Sequence, residues 1–238
     1  MNYRERFTKK HVFLAVIHVV NETQALRNAN LVLDEGADGV FLISHGTISD
    51  EELINIYRYV NATLRTKFKD PFVGLNCLSI SGQDVFKLIP NYLSGIWLDN
   101  LGIQHDREYQ YGPGCILEAR KKREASGWSG LLFGGVAFKH QKAVSYENLP
   151  KTSQISTEFC DVVTTSGEAT GRAPQVKKIR LIRGAVGDFP VAIASGITPE
   201  NVKEFMPFAD CFLVATGISN SFTELDPVKV RTLSEAIR

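Results

Sequence analysis

Eight short apolar runs constrain this chain more than any other feature. Each is nearly continuous in Val, Ile, Leu and Phe, and each is followed by a longer amphipathic or polar stretch. They are Val12–Val20, Gly39–Ile43, Phe72–Asn76, Gly95–Leu98, Gly130–Phe138, Asp161–Thr165, Val191–Ala194 and Cys211–Ala215. A strand with one face in water alternates apolar and polar side chains. A strand covered on both faces does not, and parallel sheets are covered on both faces by their crossover helices. The runs therefore read as parallel strands.

Between the runs the period becomes helical. Thr23–Glu35 puts Leu26, Ala29 and Leu33 on one face and stops at Gly36, a C-cap residue. Asp50–Phe68 carries Leu53, Ile56, Tyr57, Val60 and Leu64 at helical spacing behind the start signal Ser49-Asp50-Glu51-Glu52. Further helices are expected at Ser81–Ile89, Cys115–Ser126, Leu149–Phe159, Ala173–Val186, Thr198–Phe208 and Asp226–Ile237. Prolines near the first turn (Pro174, Pro199, Pro227) support the last three. Eight units in 238 residues are about 30 residues each, the size of a strand–helix repeat. No linker or low-complexity tract divides residues 1–238, so one domain is expected. Eight such units in order favour an α/β fold, the (β/α)8 TIM barrel; an open doubly wound sheet is the alternative.

Composition excludes several classes. Lys and Arg number 27 against 26 Asp and Glu, a net charge of +1, so no basic field favours nucleic acid or an anionic membrane. No apolar stretch is long enough for membrane insertion. The polar first ten residues, and the run after them interrupted by His18, do not read as a signal peptide. Cys77, Cys115, Cys160 and Cys211 form no CxxC pair, which argues against a zinc site or a disulfide framework. Reduced thiols in a cytoplasmic protein are expected.

In a barrel the chemistry sits at the C-terminal ends of the strands. Those ends offer His18, Ser44-His45-Gly46, Asn76-Cys77, Asp99-Asn100, Lys139-His140, Ser166-Gly167-Glu168, Ser195-Gly196 and Thr216-Gly217. Polar residues also begin wherever any strand leaves a core, so each one alone is weak. The last two turns are the strongest local signal. Ser195-Gly196 and Thr216-Gly217 let main-chain N–H groups approach an anion closely, and a short helical turn at Ile218–Phe222 would aim its N-terminus there. A phosphorylated ligand is expected at these turns, the usual place for phosphate in a barrel. Asp replacing Gly196 or Gly217 is expected to abolish binding and leave the fold intact. Ser166 and Gly167 lie in a second glycine- and hydroxyl-rich loop, Thr164–Gly171, which is either an anion cradle or a plain loop. It is no Walker motif.

Lys139 and His140 are the candidates for proton transfer, charge stabilisation or, for the lysine, a Schiff base. Strand alternation sends one of them inward without saying which. Asp99, then Glu168, are the candidate carboxylates, with a helix cap or turn as the plain reading. His18 is either a catalyst or a satisfied core histidine. His18, His45, Asp99 and His140 follow no metal-ligand spacing, so neither a metal nor another cofactor is expected. Gln104–Gly114, with Arg107, Tyr109 and Tyr111, and His140–Leu149 are long enough to close over a ligand or to form a subunit contact. A homo-oligomer is left open.

Three segments resemble the BtpA-like (photosystem I biogenesis) family. They are Asp161–Gly171 (DVVTTSGEATG), Phe189–Asn201 (FPVAIASGITPEN) and Ala209–Gly217 (ADCFLVATG). Phe138-Lys139-His140 and Ala37-Asp38-Gly39-Val40 resemble it more loosely. The likeness is dense from about residue 130 to 220, and it implies a TIM barrel whose activity is poorly defined. The second and third segments also resemble those of ribulose-phosphate-binding barrels, which implies phosphate handling. The family's Pro/Gly-rich loop after the first strand is replaced here by Val19–Thr23. Phosphoribosylanthranilate isomerase, a similar barrel, needs Cys-Gly where His18-Val19 stands, so its acid–base pair is not carried over. The expected function is an enzyme acting on a small phosphorylated metabolite, with isomerase, lyase and glycosyl-bond chemistry all open. A non-catalytic assembly factor and a metal-dependent hydrolase are the alternatives.

Overall fold

A computed structural model describes residues 2–46, 48–80, 84–103, 116–139 and 143–238. Eight parallel strands close on themselves in chain order: β1 (Val12–His18), β2 (Gly39–Ile43), β3 (Phe72–Asn76), β4 (Gly95–Leu98), β5 (Leu131–Gly135), β6 (Val162–Thr165), β7 (Val191–Ala194) and β8 (Cys211–Val214). The closing pair sets Val12 against Cys211 and Ala15 against Val214. The fold is a (β/α)8 barrel. The helices are α1 (Tyr3–Arg6), α2 (Glu22–Asp34), α3 (Asp50–Lys67), α4 (Val85–Leu88), α5 (Ile116–Ser126), α6 (Leu149–Ser156), α7 (Val176–Val186), α8 (Val202–Phe205) and α9 (Pro227–Ile237). Among the described residues none is long and apolar enough to cross a membrane.

The strand runs are continuous because both faces are buried, each against a different neighbour. Leu14, Phe41, Phe72, Trp97, Phe133, Ala192 and Leu213 fill the barrel interior. Their chain neighbours, such as Ala15, Leu42, Val73, Ile96, Leu132, Ile193 and Phe212, pack outward with the helices. The interior is aromatic: Phe41 lies 5.1 Å from Phe133 and 5.6 Å from Phe72, ring centre to ring centre. Glycines make room for these rings. A Cβ on Gly74 would stand 2.3 Å from the Phe41 ring, and one on Gly95 would stand 2.6 Å from Phe72.

The N-terminal face is closed. α1, which the polar start of the chain did not announce, is held by a capping box between Asn2 and Glu5. It seats buried Tyr3 and Phe7 under the barrel, with Phe7 5.1 Å from Phe72. At this face three carboxylates stitch neighbouring strands. Asp38, Asp161 and Asp210 each stand just before a strand and accept a main-chain N–H from the strand before it: Phe13, Leu132 and Val191. Each also meets a cation: Lys9, Arg123, and for Asp210 both Arg4 and Arg183. The opposite, C-terminal mouth is where barrels of this kind place their chemistry.

Boundaries moved where a side chain intervened. β1 stops at His18 because Asn21 caps α2 by accepting from the Gln24 N–H. Pro174 precedes α7, whose N-cap is Gln175. The helix expected at Thr198–Phe208 shortens to α8, since Asn201 accepts from the Thr198 N–H and donates to Gly196 O, holding 198–201 as a turn.

Candidate functional site

Strand parity decides which ends face the mouth. His18 follows Leu14 and Val16 on the inner face of β1, and Asp99 follows Trp97 on that of β4. His18 is buried, and its Nδ1 lies 2.8 Å from Phe222 O. A carbonyl only accepts, so Nδ1 carries the proton and Nε2 is left as the bare acceptor. Burial lowers the His18 pKa, and the nearby charges of His45 and Lys139 push the same way against the Phe222 bond. The Phe222 ring stacks on His18 at 4.1 Å, and His45 stands edge-on to both.

Lys139 lies across the mouth. Its main-chain N–H donates to Ser166 Oγ at 2.8 Å and its Nζ to Thr170 Oγ1 at 2.9 Å. Burial lowers its pKa, and the charge of Asp99 opposes the shift. Asp99 Oδ1 accepts from Asn76 Nδ2 at 3.0 Å. The other Asn76 amide atom, Oδ1, and the indole Nε1 of Trp97 are buried without a partner among the described residues. Orphaned buried polar atoms are rare, and these two lie on the inner parity of the adjacent strands β3 and β4. His140 lies outside the described residues, as does all of Gln104–Gly114 with Arg107, Tyr109 and Tyr111.

The two expected anion turns do come together, under an unexpected cover. The loop after β6 lies across them. Ser195, at φ +147°, donates from Oγ to Ala169 O at 3.1 Å. Gly196 has φ +64°, and a Cβ there would sit 2.0 Å from Ala173 N. A Cβ on Gly217 would sit 1.9 Å from Ile197 O, and Gly171 faces Thr216. These glycines are required by backbone meeting backbone, so an Asp at either would disrupt the loops, and the expectation of an intact fold is corrected. The helical turn is at Thr216–Ile218, two residues earlier than expected. Among the described residues, no acceptor takes the main-chain N–H of Thr216 or Gly217.

Ser166 and Gly167 belong to this covering loop. Ser166 is fully buried and donates to Gly167 O. Both border a cavity of about 730 Å³ beside the mouth, together with Lys139, Glu168, Arg172 and Lys178. Ser195, Gly196, Thr216 and Gly217 do not border it. Lys178, in the first turn of α7, escaped the sequence reading because it is one helical position among several lysines. Its Nζ donates to Ala137 O at 2.6 Å and Ser166 O at 2.7 Å, and burial, opposed by Glu168, brings its pKa down to about 8. Asp50, read as a helix start, is also a loop anchor. Its buried carboxylate accepts from Ser44 Oγ and from the main-chain N–H groups of Leu78, Ser79 and Ile80. No cluster of three or more His, Cys, Asp or Glu forms among the described residues.

This arrangement defines a (β/α)8 barrel with one polar, titratable mouth. Residues 114–238 match the profile of the BtpA family, and the chain belongs to that family. An uncharacterized protein of Thermococcus kodakarensis is 26% identical over 210 residues, covering 82% of this chain and 76% of its own. The photosystem I biogenesis protein BtpA of Synechocystis sp. is 26% identical over 152 residues, covering 62% of this chain and 50% of its own. In architecture the chain is similar to (S)-3-O-geranylgeranylglyceryl phosphate synthase of Thermoplasma acidophilum, solved with sn-glycerol-1-phosphate. The TM-score is 0.70 at 16% identity, over 100% of this chain and 98% of that one.

Proposed function

We propose that the protein is a cytoplasmic enzyme that takes a small phosphorylated metabolite at the barrel mouth and moves a proton on it. The observation that carries this reading is the set of unmatched polar groups there. Among the described residues the Thr216 and Gly217 N–H groups meet no acceptor and Asn76 Oδ1 meets no donor, which leaves them for an anion and a polar ligand group. The phosphoryl group would lie against the turns of Ser195-Gly196 and Thr216-Gly217, with Ser166 and Gly167 in the covering loop. Ser195 Oγ becomes available when that loop lifts from its Ala169 contact. His18, neutral with Nε2 bare, suits the role of base. Lys139, steadied by Asp99, suits the stabilisation of negative charge that develops on the substrate. The bound sn-glycerol-1-phosphate of the Thermoplasma barrel supports a phosphorylated ligand on this architecture. Isomerase and lyase chemistry both fit such a pair.

The test is a thermal-shift and calorimetric comparison of sn-glycerol 1-phosphate with glycerol, and of ribose 5-phosphate with ribose. The phosphorylated member of a pair should stabilise the protein while its partner does not. Equal response to both members would overturn the reading. A second reading, an assembly factor that keeps the ligand site, is favoured by the name of the Synechocystis relative. Binding without turnover of any bound ligand would support it.

A further inference from the structure

Lys178 is a built feature. Its Nζ donates to Ala137 O and Ser166 O, the carbonyls just beyond the ends of β5 and β6. Ala137 has φ +48°, a conformation costly for a residue with a Cβ, and its carbonyl is held by this lysine. An uncharged amine has two N–H bonds and one lone pair. With both N–H bonds on the two carbonyls, the lone pair takes the remaining tetrahedral position, turned away from them. The free space that Lys178 borders is the cavity of about 730 Å³. On the same cavity stands Arg172, which makes no ion pair among the described residues, and Lys139 borders it too. Val144 and Leu149 add apolar wall.

We propose that Lys178 forms a Schiff base with a small oxo acid in this cavity, with Arg172 taking the carboxylate. The amine lone pair attacks the carbonyl carbon, and one N–H proton passes from the nitrogen to the carbonyl oxygen to give a carbinolamine. The nitrogen lone pair then expels that hydroxyl, which leaves as water with one further proton from solvent, and the iminium ion keeps a single N–H for one of the two carbonyl partners. No oxidant or co-reactant is needed. Burial keeps a larger share of this lysine uncharged than an exposed one: with its value near 8, on the order of a hundredfold more free amine at neutral pH. The charged and titratable groups around it are Glu168, Arg172, Lys139 and Tyr146, whose hydroxyl donates to Gln175. Glu168 opposes the effect of burial.

The inference stands apart from the phosphate reading, because its probe carries no phosphoryl group. The intact protein is treated with glyoxylate and sodium cyanoborohydride, which reduces an imine to a stable carboxymethyl-amine, and the adduct is mapped by peptide mass spectrometry. Lys178 should be labelled at least tenfold faster than the exposed lysines, with a rate that rises with pH through about 8. Arg172→Gln should slow labelling by glyoxylate and leave labelling by uncharged glycolaldehyde unchanged. Labelling spread evenly over surface lysines, or labelling of Lys139 in preference to Lys178, would overturn the proposal. An Arg172→Gln protein labelled by glyoxylate at the wild-type rate would remove the oxo-acid assignment. The Lys178→Met variant, which can loosen the two strand ends, is not needed for any of these outcomes.

Discussion

Gly74 shows how single positions set the barrel's interior. Its missing Cβ is the space that the Phe41 ring fills, so Gly74→Ala should cost about 1–3 kcal/mol through overpacking, read as a lower urea midpoint with an unchanged slope. His18 carries the mouth's clearest electronic state. Long-range proton–nitrogen NMR should find it neutral with the proton on Nδ1, as the bond to Phe222 O demands; an Nε2–H tautomer would contradict the site as drawn. His11 is half-buried, and burial lowers the pKa of both imidazoles below the ordinary 6.5 in the native chain. The unfolded chain therefore binds their protons first. Stability is fully present above 6.5 and is lost as pH falls through the depressed native values. The urea midpoint should fall across that window, and the double variant His11→Gln, His18→Gln should flatten the fall. Sequence placed His18 at a strand end; only its contact with a residue 204 positions away decided which nitrogen is free.

Strands are tied at their entrances by carboxylates. Asp210 holds the Val191 N–H, Arg4 and Arg183 at once. Asp210→Asn should cost about 2–3 kcal/mol, less than a fully buried network because Arg4 is half exposed. Thermal unfolding checks this, and an unchanged midpoint would show that the ion pairs carry no weight. The Ala37-Asp38 and Ala209-Asp210 segments, which carried part of the family resemblance, lie at this closed face. They speak for the fold and stand away from the mouth. Helix α3 shows the converse. Ser49-Asp50 was legible as a cap, yet Asp50 also gathers the loop after β3, and no local pattern announces a bond across 28 to 30 residues.

At the scale of the molecule, the closed sheet makes two unlike ends. α1 plugs one with Tyr3 and Phe7. Tyr3→Ala should cost about 3 kcal/mol by opening the floor beneath Phe72, and it should leave ligand response at the distant mouth unchanged. A loss of ligand response in a still-folded variant would show that the two ends are coupled. The number and two-sided burial of the strands were determined by sequence alone, since continuous apolar runs at about 30-residue intervals have few other ways to hide both faces, and the closed sequential order was favoured over an open sheet. That was enough to bring the strand-end residues to one rim. Tertiary structure decided the rest: that the loop after β6 rests on the turns after β7 and β8, and that Lys178 reaches the ends of β5 and β6. Local periodicity records whether a side chain is buried. Which distant backbone it meets depends on how the closed ring sets its loops side by side.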